Sequence, residues 1–374
     1  MPSLSAGDDR SRPDTFRPES GADLTWATLC YFGFYLTFSF ATKLLASGST
    51  SGIAPKPPID GAVILPASIV ACGVVWAAAM LIELLYRRHR RQPSAVAASL
   101  PLMLSRDVLI AASASAVILT AATLAYSLPG VSLLVPLLLM KGGVLLAGPT
   151  VDWLGGAEIK RRAYVVLGLA ATAIASVLWH KVDLSAGAGI GWACVCAVAY
   201  VVAYFPKIAV MTRNKRRPGF LFAEMTTTLL IALPLSLLGL WVVTWLRGIG
   251  AVGVVASTAS AASFAAQLQT AADILRDPRL WFLAVGSEGC ALAGGLIFMS
   301  PPSATLTVPL NRCTSLLAGF AATLLLWRHG GRSVAEYAGR NVGELVGVAA
   351  MLVALWVGLR KDGGAVGGVG LKAA

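Results

Sequence analysis

Charged side chains are scarce in this chain, and their scarcity excludes an ordinary soluble domain. Only 13% of the 374 residues are charged, while 57% are hydrophobic. A soluble globular domain carries about 25% charged residues. Apolar runs of about 20 residues, the length that crosses a bilayer core of about 30 Å, recur along the sequence. The chain is therefore predicted to fold in lipid, as an all-α membrane protein.

Enzyme and metal-binding motifs are also missing. There are only three histidines, in or beside loops, and no Asp-x-x-Asp, His-Glu-x-x-His or Gly-x-Ser-x-Gly motif occurs. The six cysteines fall inside apolar segments, where cysteine behaves as a small hydrophobic residue. We therefore predict no metal and no cofactor, and an integral-membrane enzyme is a less favoured class. A signal peptide is not predicted either, because the first twenty residues are polar and rich in Pro, Ser and Arg.

Ten membrane spans are predicted, each a mostly apolar segment bounded by polar or basic residues. Pro and Gly inside several of them do not argue against a span, because membrane helices tolerate these residues. An odd number of spans in each half makes the two halves enter the membrane from opposite sides, which is an inverted repeat. The predicted spans are 24–46, 60–86, 107–128, 131–153, 164–180, 189–212, 219–246, 280–299, 305–327 and 342–360.

The predicted organisation has two five-helix repeats between two polar or Gly-rich tails. The repeats are residues 24–180 and 189–360, and the disordered tails are 1–23 and 361–374. Within the second repeat, the segment 250–277 is too polar to span and is predicted to be an amphipathic helix on the outer surface.

Lysine and arginine counts predict the orientation. With the N-terminus in the cytoplasm, the cytoplasmic ends and loops carry eighteen of these residues and the outer side eight. Cytoplasmic loops of membrane proteins are enriched in Lys and Arg, so both termini are predicted to be cytoplasmic. The high net charge of +12 is thereby assigned to loops and not to a nucleic-acid surface. Asp152, at the end of the fourth span, is predicted to be a solvated interface residue.

Two similar stretches each place one cation inside an apolar helix. Residues 135–148 read VPLLLMKGGVLLAG and residues 308–319 read VPLNRCTSLLAG, which puts Lys141 in the fourth span and Arg312 in the ninth. A charge at this depth costs at least about 2.5 to 3.5 kcal/mol and by default marks a ligand or ion pathway. Both residues are predicted to bind substrate, the alternative being a structural ion pair with a buried carboxylate.

A second pair of cations lies late in the first and sixth spans. Lys43 and Lys207 are both close enough to a span end for the long side chain to snorkel to the interface, which is the favoured interpretation. Substrate binding is the alternative, supported by their corresponding positions in the two halves. Tyr35 and Tyr204 lie one or two turns away and are predicted to line the same cavity.

Two carboxylates are candidates for proton coupling or gating. Glu288 lies in the middle of span eight, where it could take and release a proton, or form a static ion pair with Arg312 or Lys141. Glu224 lies near the inner end of span seven, where it is predicted to be a gate that pairs with Lys207.

The ten-span pattern and the Pro-Leu…Leu-Ala-Gly stretches of spans four and nine resemble the drug/metabolite transporter superfamily. The ninth-to-tenth stretch, from Val308 to Gly339, is similar to the end of an EamA-type repeat. The likeness covers about residues 24–360, although span seven is longer than in the usual repeat. It implies a carrier with two inverted repeats, and basic residues of the fourth and ninth helices that hold an anionic substrate.

The function predicted from these observations is secondary transport of a small polar, anionic metabolite by alternating access. The alternative is a flippase or exporter for a lipid-linked head group. The expected partners are a small-molecule substrate and the lipid bilayer, without nucleic acid, in a monomer or homodimer. The Ala-, Gly- and Arg-rich composition is typical of a bacterial protein, so the inner membrane is the predicted location.

Overall fold

The computed structural model of the protein is helical throughout the part of the chain that it describes, where no strand occurs. Its residues are 21–47, 59–126, 134–145, 147–156, 159, 161–181, 188–215, 217–248, 264–329 and 342–359. They form α1 (Gly21–Ser47), α2 (Gly61–Arg90), α3 (Ala95–Ser99), α4 (Arg106–Tyr126), α5 (Leu134–Leu145), α6 (Ala147–Leu154), α7 (Arg161–Lys181), α8 (Ala188–Arg213), α9 (Phe220–Gly248), α10 (Phe264–Ile274), α11 (Pro278–Met299), α12 (Ala304–His329) and α13 (Val342–Leu359).

Seven of these helices are long and apolar enough to cross a membrane, judged by length and composition. They are α1, α2, α4, α8, α9, α11 and α12. The predicted class of an all-α, membrane-spanning protein is therefore confirmed. The remaining predicted spans coincide with α5 and α6, with α7 and with α13. The count of ten spans and their inverted repeat stay predictions.

The predicted fourth span coincides with α5 and α6, and residue 146 between them lies outside the described residues. The predicted outer amphipathic helix is described in part, as α10, whose Ala271 and Ile274 pack in one apolar cluster with residues of α2. Residues 250–263 and most of the two predicted tails lie outside the described residues.

Helix packing follows a recurring set of neighbours. α1 runs along α11 and α12, and α4 runs along α8 and α9. α2 lies between α9 and α11, while α5 and α6 contact α8 and α12. α7 and α13 pack on each other and on α12. The helices α1, α4, α5, α8, α9, α11 and α12 thereby enclose a central cavity.

The contact between α1 and α11 depends on Gly286. A Cβ atom built on this residue would lie 2.6 Å from the Phe38 nitrogen and 2.9 Å from the Phe34 carbonyl oxygen. Both are backbone atoms of α1, so they cannot move aside as a flexible side chain would.

Gly286→Ala is expected to destabilise the protein by about 1 to 3 kcal/mol, because the extra methyl group forces α1 and α11 apart. Gly33→Ala on α1 is the matched control, since nothing lies within 4 Å of its built Cβ. Alanine in an open helical position stabilises by roughly 0.5 to 1 kcal/mol. Thermal unfolding in detergent should therefore shift the two variants in opposite directions; equal shifts would contradict the close approach.

Candidate functional site

The central cavity has a volume of about 160 Å³ and lies between both halves of the chain. Aromatic side chains form much of its wall: Tyr31, Tyr35, Phe38, Tyr200, Tyr204 and Phe298. Four charged side chains also line it: Lys141, Lys207, Glu224 and Glu288. Six of the eight residues predicted for binding or coupling from the sequence thus meet at one place, the exceptions being Lys43 and Arg312.

Lys141 is held at the cavity wall by α5. Only 2% of the residue is exposed, and its Nζ atom lies 4.6 Å from the centroid of the Tyr35 ring. The ring face of tyrosine attracts a cation. In the part of the chain that the structure describes, no carboxylate pairs with Lys141. The structural ion pair considered from the sequence is therefore not formed, and the ammonium group is available to a solute.

Arg312 is fully buried in α12, directly behind the cavity wall. Its Nη1 donates to the hydroxyl of Tyr200 at 2.9 Å, and its Nη2 donates to the hydroxyl of Tyr204 at 2.8 Å and to Asn311 Oδ1 at 2.6 Å. The guanidinium carbon also lies 4.6 Å from the Tyr204 ring centroid. All these acceptors are uncharged, and Nε has no hydrogen-bond partner among the residues that the structure describes. Arg312 therefore orients the polar groups that face the cavity and does not itself line it.

The two buried cations have matching surroundings. Tyr31 and Tyr35 are four residues apart on α1, and Tyr200 and Tyr204 are four residues apart on α8. Their ring centroids are 5.7 Å and 4.9 Å apart, respectively. In each half, the second tyrosine of the pair presents its ring 4.6 Å from a buried cation of another helix.

Lys207 and Glu224 form an ion pair across α8 and α9, with 3.5 Å between Nζ and Oε1. The hydroxyl of Ser115 on α4 donates to the same carboxylate. The pairing predicted from the sequence is present. Because Lys207 lines the cavity and contacts Glu224, its position differs from the snorkelling orientation that the sequence favoured.

Glu288 presents a buried carboxylate from the middle of α11, with 8% of the residue exposed. Within the described residues it forms no ion pair, and the thiol of Cys72 on α2 is its hydrogen-bond partner. The static pair with Arg312 or Lys141 is thus not formed. A lining carboxylate without an oppositely charged partner is placed to meet a cationic group of a solute or a proton.

Lys43 is not brought to the cavity. Its Nζ atom donates to the Thr323 hydroxyl on α12 at 2.6 Å. Of the two lysines that the sequence related by position, only Lys207 lines the cavity. A substrate-binding role for Lys43 stays a prediction.

Sequence reasoning missed Tyr31, Tyr200, Asn311 and Ser115. The tyrosines carried a usable signal, because the spacing Tyr-x-x-x-Tyr occurs once in span one and once in span six. Residues four apart lie on the same face of a helix, so both rings of a pair reach one cavity. Asn311 and Ser115 carried no such signal.

Asp152 is not a solvated interface residue, as predicted, but is 3% exposed at the end of α6. Its carboxylate accepts hydrogen bonds from the backbone nitrogens of Ala304 and Thr305 at 3.1 and 2.6 Å, and from the Thr305 hydroxyl at 2.5 Å. It thereby caps the N-terminus of α12 from another helix. Nearby, Lys215 donates to the Pro302 carbonyl at 2.7 Å, and burial lowers the pKa of this lysine although Asp152 opposes the shift.

Asp152→Ala is expected to lower the free energy of unfolding by about 2 kcal/mol, because it leaves buried N–H groups without an acceptor. Asp60→Ala is the matched control, since Asp60 caps α2 with an exposed side chain. Its expected effect is about 0.5 to 1 kcal/mol. Thermal unfolding of both variants in one detergent tests the difference, and equal losses would contradict the special role of Asp152.

Comparison with known proteins adds no name to this site. No family model matches the chain, and no curated protein does. One solved structure, described only as "Crystal structure of protein", aligns with 89% of this chain and 97% of its own, at 16% identity and a TM-score of 0.47. This likeness is too low to support any statement on function.

Proposed function

We propose that this protein is a secondary transporter that moves a small polar solute with an anionic group by alternating access. One observation carries the proposal: Lys141 lines an internal cavity without a carboxylate partner among the described residues. An unpaired cation in an apolar helix is unfavourable in the empty protein, and its retention there is explained by a ligand. Glu224 and Glu288 are the proposed gating or proton-coupling groups.

The inverted repeat is the second part of the proposal. It relates α1 to α8, α2 to α9, α4 to α11, α5 and α6 to α12, and α7 to α13. Under this exchange, the contact between α1 and α11 corresponds to the contact between α8 and α4. The contact between α1 and α12 corresponds to the contact of α8 with α5 and α6. In the same way, the contact between α2 and α11 corresponds to the contact between α9 and α4. The pairs α2–α9 and α7–α13 each correspond to themselves, because the exchange swaps their two members.

The matching tyrosine–cation contacts agree with the same exchange. It relates Tyr35 on α1 to Tyr204 on α8, and Lys141 on α5 to Arg312 on α12. Inverted repeats of this kind surround a substrate site near the middle of the membrane and rock about it. We therefore propose ten spans, membership of the drug/metabolite transporter superfamily and cytoplasmic termini in a bacterial inner membrane.

A ligand screen followed by transport tests this function. Purified protein in detergent is heated with phosphorylated sugars, nucleotide sugars, amino acids and cationic drugs, and every compound that raises the melting temperature is then assayed in proteoliposomes. A ligand at a hundred times its Kd stabilises by about 2.7 kcal/mol. The wild type should accumulate such a compound inside vesicles loaded with the unlabelled form, whereas Lys141→Met should not.

Arg217→Met is the control, because it removes an exposed positive charge outside the helices. It should transport like the wild type. A fluorescent-lipid scrambling assay on the same vesicles separates the alternative of a head-group flippase. Lipid scrambling without solute exchange would overturn the carrier proposal in favour of the flippase.

A further inference from the structure

Some of the charged side chains that line the cavity have an oppositely charged partner in the protein, and others do not. Lys207 and Glu224 neutralise each other at 3.5 Å, and Ser115 donates to the same carboxylate. A solute therefore meets this pair as a neutral unit. In the described part of the chain, the lining charges without an oppositely charged partner are Lys141 on α5 and Glu288 on α11, whose carboxylate has the neutral thiol of Cys72 as a hydrogen-bond partner.

Arg312 does not add a third available charge. Its two terminal nitrogens are engaged by the hydroxyls of Tyr200 and Tyr204 and by the side chain of Asn311. Its residual field reaches the cavity through these three side chains, which all line it.

We propose that the solute is a zwitterion of amino-acid type, with its carboxylate at Lys141 and its ammonium group at Glu288. The proposal rests on the transport function proposed above and names its substrate class. These two opposite charges face the same cavity from different helices, and neither forms an ion pair with a residue that the structure describes. A zwitterion compensates both, whereas a simple anion leaves Glu288 without an oppositely charged partner and adds a like charge beside it.

The size of the cavity agrees with a single small solute. Its volume of about 160 Å³ is below the roughly 300 Å³ at which sites for drug-sized ligands begin. A dry cavity of about 150 Å³ holds one benzene molecule. The aromatic and aliphatic part of the wall, including Phe38, Leu119 and Phe298, is suited to the apolar part of an amino acid.

The test compares L-valine with two analogues that each lack one charge. Isovalerate is valine without the ammonium group, and isobutylamine is valine without the carboxylate. The other nineteen amino acids are included as further zwitterions, in case the side-chain preference excludes valine; any that binds is compared with its own deaminated and decarboxylated analogues. Binding is measured as the rise in melting temperature, with Kd from titration, on wild type, Glu288→Gln and Lys141→Met.

The wild type should bind the zwitterion at least tenfold more tightly than either analogue, because a hydrogen-bonded charge pair is expected to change Kd about 10- to 100-fold. Glu288→Gln should lose this preference and bind the deaminated anion as well as the wild type or better. Lys141→Met should no longer bind the zwitterion or the deaminated anion, but it should still bind the decarboxylated cation. Glu83→Gln, which removes a carboxylate outside the cavity, should behave like the wild type.

Specific outcomes overturn the inference. If the deaminated anion, or a phosphorylated sugar, binds as tightly as every zwitterion and Glu288→Gln changes nothing, the substrate is a simple anion and the transport proposal stands. If no compound of either screen binds or is transported, the transport proposal itself fails. If Lys141→Met does not fold, Glu288→Gln alone decides between a zwitterionic and a simple anionic substrate, through the loss or retention of the preference for the zwitterion.

Discussion

Arg312→Met is expected to reduce transport at least 100-fold while leaving the folded protein as stable as the wild type, or more so. The guanidinium holds the hydroxyls of Tyr200 and Tyr204 at the cavity wall through two hydrogen bonds, so without it both phenols lose their fixed position for the solute. Losing about 2.7 kcal/mol of solute stabilisation corresponds to a factor of about 100. The compound that stabilises the wild type most is the solute to use, in proteoliposomes with matched protein content.

Most substitutions in a protein core lower the free energy of unfolding, whereas Arg312→Met is expected to leave it unchanged or to raise it. Arg312 is fully buried and its acceptors are all uncharged, so its charge is uncompensated within the described residues. Replacing a buried charge by an apolar side chain of similar volume is often neutral or stabilising. Thermal unfolding without ligand measures this. A melting temperature far below the wild type, with normal transport per folded molecule, would make Arg312 a structural residue.

Arg312→Lys separates the charge from the geometry. Lysine keeps one positive charge, but its compact ammonium group cannot reproduce a planar fork that holds two hydroxyls and an amide at once. We expect transport to stay at least tenfold below the wild type. Full recovery by lysine would show that the charge alone matters.

The sequence predicted the helices and the depth of the charges well, because both follow from local composition. Apolar runs of fixed length reveal a span wherever it packs. The depth of Lys141 within its run likewise indicated that the ammonium could not reach water. The pairing of Lys207 with Glu224 followed from two opposite charges near the same end of their helices.

The sequence could not predict which side chains turn toward one another across the bundle. Asp152 is at a helix end beside basic residues, which is typical of a solvated carboxylate, yet tertiary packing places it on the N-terminus of α12. Lys43 has the same local context as Lys207, but it contacts Thr323 and not the cavity. Facing directions depend on helix rotation, which local composition does not determine.

The ion pair between Lys207 and Glu224 provides the second large prediction. Removing one partner leaves an uncompensated charge in the bundle, which destabilises by about 3 kcal/mol, within the range measured for broken buried pairs. Glu224→Gln and Lys207→Met should therefore each lower the melting temperature strongly. The double variant should recover most of the loss, because neither charge is left alone. Additive losses in the double variant would show that the two groups are not coupled.

The same single variants should change what the cavity accepts. In Glu224→Gln the ammonium of Lys207 becomes available, so the cavity gains one positive charge and should bind simple anions such as isovalerate more tightly than the wild type does. In Lys207→Met the free carboxylate of Glu224 should favour isobutylamine instead. Opposite shifts of about tenfold are expected in titrations by melting temperature. In the wild type, Lys207 and Glu224 neutralise each other and so keep the cavity selective for a solute that carries both charges. Unchanged preferences in both variants would show that the pair only supports the fold.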